Sequence, residues 1–274
     1  MNKPYSNLPS LTELTIKISN IAKEAASRIL ENYESDFAIE HKGDNSPLTA
    51  ADLASHQAIC DRLASLTPDI PVLSEESAAL PFDTRQKWRY YWLVDPLDGT
   101  REFIKRNGEF TVNIALIEDH RPVLGVVHVP VNGMTYFASK GNGAYKQLNN
   151  EQLQQIQTRT TNTGHFTVAG SRSHGSERQQ AFFKRLGDIE IFAIGSSLKF
   201  CMVAEGIVDI YPRFGPTSEW DTAAAQCIVE EAGGMVTDEG LKPLRYNTKE
   251  SLLNPNFLVI ADKSFDWESY LTDI

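Results

Sequence analysis

Residues 88–100 constrain this chain more than any other stretch, because an apolar run leads directly into a cluster of polar groups. Residues 89–94 are apolar and aromatic and have the length of a strand. Asp95 and Asp98 follow on either side of Pro96, which fixes one backbone angle and lacks an N–H group. We therefore predict a tight turn that directs both carboxylates into one pocket, where they could bind Mg²⁺. The alternative is an ordinary turn with two solvated aspartates.

The two residues after this turn favour a phosphate site. Gly99 allows another group to approach the backbone closely. A helix that starts near Thr100 would present free N–H groups, and such helix ends commonly bind phosphate. The working hypothesis is therefore a metal-dependent phosphate site.

Composition and charge restrict the class of partner. The chain has 274 residues, 41% of them hydrophobic and 23% charged, as is usual for a folded protein of one large or two coupled domains. The formal net charge of −10 argues against binding to a nucleic acid polymer, which requires a basic surface. A small anionic ligand remains compatible with this charge, because metal ions or a local basic pocket can neutralise it.

Cysteine usage and apolar patterning predict a cytoplasmic protein. Cys60, Cys201 and Cys227 are far apart and odd in number, which favours neither a disulfide framework nor a zinc site. Residues 1–10 lack the pattern of a signal peptide, and no apolar stretch reaches the ~18 residues of a membrane span. Peripheral attachment to the cytoplasmic face of the inner membrane stays open as an alternative.

Two helices are predicted in the first part of the chain, and the first of them is amphipathic. Ser10 and Glu13 form a capping-box pattern, and apolar residues then recur at helical spacing to about Tyr33. A second helical pattern covers residues 49–66, after a segment rich in turn residues. Asp52 lies near the start of this helix, where capping is the alternative to a role in a site.

Strands are predicted next. Residues 71–74 form a short strand that leads to Glu75 and Glu76, whose side chains alternate in direction, so at most one of them faces a given site. Two solvated glutamates are the alternative. Three antiparallel strands are then predicted, with a tight turn at Asn132-Gly133, over residues 111–118, 123–130 and 135–138.

A change in composition suggests a domain boundary. The turn at residues 141–143 is expected to close the sheet, and residues 147–163 are rich in Gln, Asn and Thr. We therefore place a boundary near Asn150 and predict an N-terminal α+β domain, residues 1–150, and a C-terminal α/β domain, residues 151–274. In the second domain, strands and helices alternate, which favours a parallel or mixed sheet.

The second half contains candidate site residues of two kinds. Asp221 resembles the N-cap of a helix over residues 221–231, so it is either a capping residue or a further metal-directed carboxylate. Three turn segments each follow a strand and could bind an anion, although surface solvation is the alternative for each. Their candidate residues are Ser171, Arg172 and His174 in the first, Ser196 and Lys199 in the second, and Arg213 in the third.

Three motifs in sequence order give a family resemblance. Ser74-Glu75-Glu76-Ser77, Asp95-Pro96-Leu97-Asp98-Gly99-Thr100 and Trp220-Asp221-Thr222-Ala223-Ala224 resemble the inositol monophosphatase superfamily of lithium-sensitive, Mg²⁺-dependent phosphatases. Residues 195–221 are similar to the CysQ-type subgroup of bacterial 3'(2'),5'-bisphosphate nucleotidases. The resemblance implies an α/β (α+β) fold, a layered αβαβα sandwich of the inositol monophosphatase and fructose-1,6-bisphosphatase type.

The resemblance also implies site residues. The implied ligands of two or three Mg²⁺ ions are Glu75, Asp95, Asp98, Asp221 and the carbonyl of Leu97. Asp52 and Thr100 match the residues that orient or deprotonate the attacking water. The implied substrate contacts are Gly99, Thr100, Ser171, Arg172, His174, Ser196, Lys199, Arg213 and Asp221.

The implied reaction removes the 3'-phosphate of adenosine 3',5'-bisphosphate to give AMP and phosphate, in support of sulfate assimilation. Ser196, Lys199 and Arg213 would hold the 5'-phosphate. Inositol monophosphate or a sugar bisphosphate is the alternative substrate, and a non-catalytic nucleotide or metal sensor is the alternative class. The expected partner is a small nucleotide bisphosphate, and the expected state is a monomer or homodimer.

Overall fold

Two β-sheets organise the chain in a computed structural model that describes residues 9–34, 39–41, 47–77, 80–170 and 176–271. A seven-stranded sheet has the order β3-β4-β5-β6-β7-β8-β9, a five-stranded sheet has the order β11-β10-β12-β14-β13, and β1 pairs with β2. The strands are β1 (Ile39–His41), β2 (Pro47–Thr49), β3 (Val72–Ser74), β4 (Tyr90–Asp98), β5 (Thr111–Glu118), β6 (Arg121–Val129), β7 (Met134–Ser139), β8 (Ala144–Leu148), β9 (Gln154–Ile156), β10 (Phe166–Gly170), β11 (Ile189–Ala193), β12 (Ile210–Arg213), β13 (Met235–Asp238) and β14 (Phe257–Ile260).

Helices cover both sheets. They are α1 (Leu11–Tyr33), α2 (Ala50–Leu66), α3 (Phe82–Arg85), α4 (Thr100–Ile104), α5 (Glu177–Leu186), α6 (Leu198–Ala204), α7 (Ala223–Glu231) and α8 (Glu268–Leu271), with a 3₁₀ turn at Glu219–Asp221. Ser10 and Glu13 form the predicted capping box at the start of α1. No described helix is both long and apolar enough to span a bilayer.

Alternating side chains bury the two faces of each sheet in different cores. Trp92 and Val94 of β4 pack in an outer core beneath α1 and α2, whereas Tyr91 and Leu93 point to the opposite face. That second face packs on α6 and α7, which also contact the five-stranded sheet. A third core lies beneath α5 and the C-terminal segment. The layers therefore run helix, sheet, helix, sheet, helix, and the predicted αβαβα sandwich is confirmed.

One glycine allows the closest contact between layers. A Cβ atom at Gly125 of β6 would overlap the backbone carbonyl oxygen of Ala224 in α7. No other residue type fits here without moving the helix away from the sheet.

Several local predictions need correction. The turn at 141–143 does not close the first sheet, because β8 and β9 continue it to Ile156. The polar side chains of this segment are compatible with the edge strand β9 and its neighbour β8, which both remain partly solvated. The loop between β6 and β7 has four residues, and of the pair Asn132-Gly133 only Gly133 has a positive φ, 75°. The short helix α8 was not predicted.

The thiols are free. Cys201 and Cys227 are buried, and Cys60 is half-buried.

Candidate active site

A β-bulge at the end of β4 forms the floor of the site. Asp95 pairs with Asn113 of β5 and Asp98 pairs with Thr111, with a register shift between the two aspartates. The prediction that the strand ends at Val94 in a tight turn is therefore wrong. Because β5 supplies a partner on both sides of Pro96, the chain stays in the sheet and the extra residues form the bulge.

Six carboxylates line one cavity of about 540 Å³: Glu102 and Glu109, and four that come from the three motifs. Asp95 and Asp98 lie at the bulge, Glu75 follows β3, and Asp221 ends the 3₁₀ turn. Glu76 does not line this cavity and instead acts electrostatically on His56. The structure therefore separates the two adjacent glutamates, as predicted.

These carboxylates perturb one another. Burial raises the pKa of Asp95 well above its usual range, and the charges of Glu75, Asp98 and Asp221 raise it further. Burial is also the main cause of the raised pKa of Asp221, followed by the charge of Asp98. Hard, negatively charged oxygen donors in this number fit a divalent cation such as Mg²⁺. Within the described residues, no group of three or more His, Cys, Asp or Glu side chains has the arrangement of a metal site. The fit of this cavity to Mg²⁺ therefore rests on the chemistry of its donor atoms.

Asp221 does not cap α7, so the capping alternative for this residue is wrong. Thr222 is the N-cap residue, and Asp221 Oδ2 accepts a hydrogen bond from the Ser218 N–H at 2.9 Å. The 3₁₀ turn starts at Glu219, where Asn254 Nδ2 donates to the carbonyl of Ser218 at 2.7 Å. The carboxylate of Asp221 is thus fixed at the cavity by a turn of its own.

Asp52 and Thr100 form a contact between α2 and α4. Asp52 is 2% exposed, and its Oδ1 accepts from Thr100 Oγ1 at 3.2 Å. Its Oδ2 accepts from the N–H and the hydroxyl of Thr49, at 2.8 and 2.6 Å. The two interpretations of Asp52 are therefore compatible, because one oxygen caps the helix and the other contacts a residue of the cavity.

The opposite wall of the cavity is the segment between β11 and α6. Ser196 has a φ of 45°, and its buried Oγ has no hydrogen-bond partner in the described part of the chain. Lys199 Nζ donates to the carbonyls of Ile194 and Ser196, at 3.2 and 2.8 Å. Burial is the main reason that the pKa of Lys199 falls to about 8.

Arg213 lies on this wall at the end of β12. Its Nη2 donates to the carbonyl of Pro216 at 3.1 Å, and its buried Nε has no partner among the described residues. Gly99, with a φ of 93°, lies directly beside Ser196, because a Cβ atom on it would be 3.3 Å from Ser196 Cβ. The structure thus brings Ser196, Lys199 and Arg213 together with the carboxylates. Ser171, Arg172 and His174 lie outside the described residues.

Residues that the sequence interpretation missed support the predicted ones. Ser197 and Asn113 are both 1% exposed and contact Asp98, and buried Ser55 donates to the carbonyl of Pro96 at 2.7 Å. Ser55 lies one turn after Asp52 on the same helix face, and Asn113 interrupts an otherwise apolar strand. Both signals were available in the sequence.

Known proteins resemble this chain over nearly its whole length. The sequence profile of the inositol monophosphatase family matches residues 10–265. The 3'(2'),5'-bisphosphate nucleotidase CysQ of Escherichia coli (strain K12) is 48% identical over 245 residues, which cover 89% of this chain and 98% of that protein. The CysQ of Aggregatibacter actinomycetemcomitans is 40% identical over 258 residues, which cover 94% and 96% of the two proteins.

A solved structure shares the fold. The crystal structure of CysQ from Bacteroides thetaiotaomicron, described as a bacterial member of the inositol monophosphatase family, matches with a TM-score of 0.77 and 42% identity. The match covers 91% of this chain and 97% of that one. The family is generally metal-dependent. With its layered fold, its carboxylate-lined cavity and a profile match over almost its full length, the chain belongs to the inositol monophosphatase family.

Proposed function

We propose that this protein is a Mg²⁺-dependent phosphatase that hydrolyses the 3'-phosphate of adenosine 3',5'-bisphosphate to AMP and phosphate. One observation above all supports this substrate class: a single cavity joins the four motif carboxylates to two buried donors, Ser196 Oγ and Arg213 Nε, that have no partner among the described residues. The carboxylates suit metal ions at a reacting phosphate, and the donors suit a second anionic group. The relatives named above, which carry the nucleotidase name, support the same choice.

The carboxylate wall would hold the metal. Glu75, Asp95, Asp98, Asp221 and the carbonyl of Leu97 are the proposed ligands of two or three Mg²⁺ ions. Bound Mg²⁺ supplies Lewis-acid stabilisation of the charge that develops during phosphoryl transfer. The chain contributes a buried, anionic floor that concentrates divalent cations beside the phosphate subsite.

Asp52 and Thr100 would orient the attacking water. Because the Thr100 hydroxyl donates to Asp52 Oδ1, the lone pairs of Thr100 Oγ1 are available to accept a hydrogen bond from water. The water proton would then move through Thr100 Oγ1 to Asp52 Oδ1. The two donors from Thr49 fix the other carboxylate oxygen and so maintain this geometry.

The opposite wall would hold the 5'-phosphate. Ser196 Oγ and Arg213 Nε are its proposed donors, with the ammonium of Lys199 adding positive charge behind them. The backbone N–H groups at Gly99 and Thr100 are the proposed contacts of the reacting 3'-phosphate. Binding energy from the non-reacting phosphate would position the reacting one, which is how remote contacts raise reaction rates.

A substrate comparison tests this function. Phosphate release is measured with Mg²⁺ from adenosine 3',5'-bisphosphate, inositol 1-phosphate and fructose 1,6-bisphosphate, and from adenosine 3'-monophosphate. We expect kcat/KM to be highest for the first. Arg213→Ala should lower kcat/KM for the bisphosphate about 30-fold and change the value for the monophosphate little, because a charge-assisted hydrogen bond contributes about 2 kcal/mol.

Three results would contradict the proposal. Preference for inositol 1-phosphate or fructose 1,6-bisphosphate would reject the nucleotide substrate. An equal loss on both adenosine substrates in Arg213→Ala would reject the second phosphate subsite. Ligand-induced stabilisation without any phosphate release would indicate a sensor instead of an enzyme.

A further inference from the structure

Ser197 connects three parts of the site through one hydroxyl group. Its Oγ lies 2.8 Å from Asp98 Oδ2, 2.9 Å from the backbone carbonyl of Asp221 and 2.8 Å from Asn113 Nδ2. Asp98 belongs to the first sheet, whereas Asp221 comes from the segment that leads into α7. This single buried group therefore bridges two carboxylate residues that are distant in sequence.

The usual structural role of such a serine does not apply here. Ser197 is the residue before α6, where serine commonly caps the helix with its side chain. Its hydroxyl makes no capping hydrogen bond. The side chain instead makes hydrogen bonds to residues of the site and does not cap the helix.

The side-chain donors around Asp98 in the described ranges all contact the same carboxylate oxygen, Oδ2. Asn113 Nδ2 has two N–H groups and lies within reach of Ser197 Oγ and, at 3.3 Å, of Asp98 Oδ2. Thr111 Oγ1 lies 3.0 Å from Asn113 Oδ1 and 3.5 Å from Asp98 Oδ2. No side chain in the described ranges donates to Asp98 Oδ1. The network therefore distinguishes the two oxygens of a single carboxylate.

We propose that Ser197 and Asn113 are positioning residues that reserve Asp98 Oδ2 for protein hydrogen bonds and leave Oδ1 for a divalent cation. The single proton of the Ser197 hydroxyl is shared between Asp98 Oδ2 and the backbone carbonyl of Asp221, so this group sets the spacing of two ligand residues from different halves of the chain. Residues that orient metal ligands in this way typically change metal affinity when they are replaced. This inference rests on the proposed role of Asp98 as a metal ligand.

Metal binding without substrate is the direct test. Mg²⁺ affinity is measured by titration calorimetry on the purified full chain, and the shift in melting temperature with Mg²⁺ gives a second readout. We expect Ser197→Ala and Asn113→Ala each to weaken Mg²⁺ affinity about tenfold. In Ser197→Ala, KM for the substrate at saturating Mg²⁺ should stay within about threefold of wild type, since the hydroxyl acts through the metal ligand. Ser197→Thr, which keeps the hydroxyl, should recover most of the affinity.

Two further variants separate the possible outcomes. Ser10→Ala is the control, because it is also a serine-to-alanine change but lies in the outer layer. It removes the capping box of α1 and should lower the melting temperature without changing Mg²⁺ affinity. Asp98→Asn should abolish the tightest Mg²⁺ binding. If Asp98→Asn binds Mg²⁺ like wild type, the proposed metal site is wrong. If Asp98→Asn loses binding while Ser197→Ala and Asn113→Ala keep wild-type affinity, only the positioning role is wrong.

The double variant Ser197→Ala/Asn113→Ala tests whether the two residues act on one oxygen. Its loss of affinity should be smaller than the product of the two single losses, because the second change removes a network that is already broken. Independent, multiplicative losses would overturn the shared role. Asn113→Ala also keeps the test valid if Ser197→Ala does not fold, because it lies on a different element.

Discussion

Asp95 is a buried carboxylate that three neighbouring carboxylates repel. It is 1% exposed, and burial and three neighbouring carboxylates raise its pKa well above the usual range of an aspartate. Active sites commonly keep such repulsion because their function requires it, at some cost in stability. Replacing Asp95 should therefore raise the free energy of unfolding and lower the activity.

Asp95→Asn should abolish Mg²⁺-dependent phosphate release and stabilise the metal-free protein by about 1 kcal/mol. Asparagine keeps an Oδ1 acceptor for the Leu97 N–H, which is 3.1 Å away, but removes the charge. Chemical denaturation in EDTA measures the stability, and a phosphate assay at saturating Mg²⁺ measures the activity. Near-wild-type activity would reject Asp95 as a metal ligand, and a less stable metal-free variant would reject the repulsion argument.

His128 predicts how stability depends on pH. Burial, helped by the charge of Lys23, lowers the pKa of His128 from 6.5 to about 4. The unfolded chain binds a proton below pH 6.5 and the folded chain only near pH 4, so the free energy of unfolding falls over this interval as pH decreases. The loss should total about 3 kcal/mol.

His128→Asn should remove that part of the pH dependence and keep a polar partner for Thr135 Oγ1, which lies 2.9 Å from His128 Nδ1. Urea denaturation at pH values between 4 and 7 compares the variant with wild type. An unchanged slope in the variant would show that other groups cause the acid sensitivity.

The sequence reveals single residues best where they lie in short local patterns. Glu75, Asp95, Asp98 and Asp221 stand in compact motifs, and the structure places all four in one cavity. Ser197 and Asn113 are 84 residues apart, and their side chains meet only because the start of α6 lies against β5. A contact between distant residues leaves no periodic or turn signal that could predict it.

At the scale of elements, the errors occur where tertiary partners override local preference. Pro96 and Gly99 favour a turn, yet pairing with β5 keeps β4 extended through Asp98. The sequence around Asp221 is typical of a helix N-cap. Its carboxylate instead accepts a hydrogen bond from the N–H of Ser218, which lies one turn earlier in the chain. The long helices α1 and α2 were predicted correctly because their signals are local: apolar residues at helical spacing and a capping box at the start of each.

The contact between β6 and α7 gives a prediction at this scale. Gly125→Ala would place a methyl group against the carbonyl oxygen of Ala224, so the sheet and helix must move apart. We expect a loss of about 3 kcal/mol in the free energy of unfolding. Urea denaturation measures it, and Gly215→Ala serves as a control for the glycine change, because Gly215 has no positive φ and a Cβ atom there would lie 3.9 Å from its nearest neighbour, Arg213 Nε. A loss in Gly125→Ala no larger than in the control would contradict this interpretation.

At the scale of the whole molecule, the middle core joins both sheets. It contains Leu93 and Val127 from the first sheet, Val236 and Val259 from the second, and Ile228 of α7 between them. The predicted division into residues 1–150 and 151–274 cuts through this shared core. Composition near Asn150 could not reveal the shared packing, because burial depends on neighbours from both sides of the boundary.

We therefore expect the chain to unfold as one cooperative unit. Far-ultraviolet circular dichroism and tryptophan fluorescence should give coincident urea transitions, since Trp92 reports on the outer core and Trp267 on the core of the second sheet. Two separated transitions would support two independent domains and contradict the shared core.

Gly125 has a consequence for how mutational data on this protein will be interpreted. In a saturation scan scored by cell growth or activity, this glycine should tolerate almost no replacement, as a catalytic residue would. It has no functional group, and it faces α7 through a backbone contact. Intolerance to substitution alone would therefore group Gly125, which only sets the distance between two layers, with the carboxylates of the site. A parallel measurement of protein abundance would separate residues needed for folding from residues needed for activity.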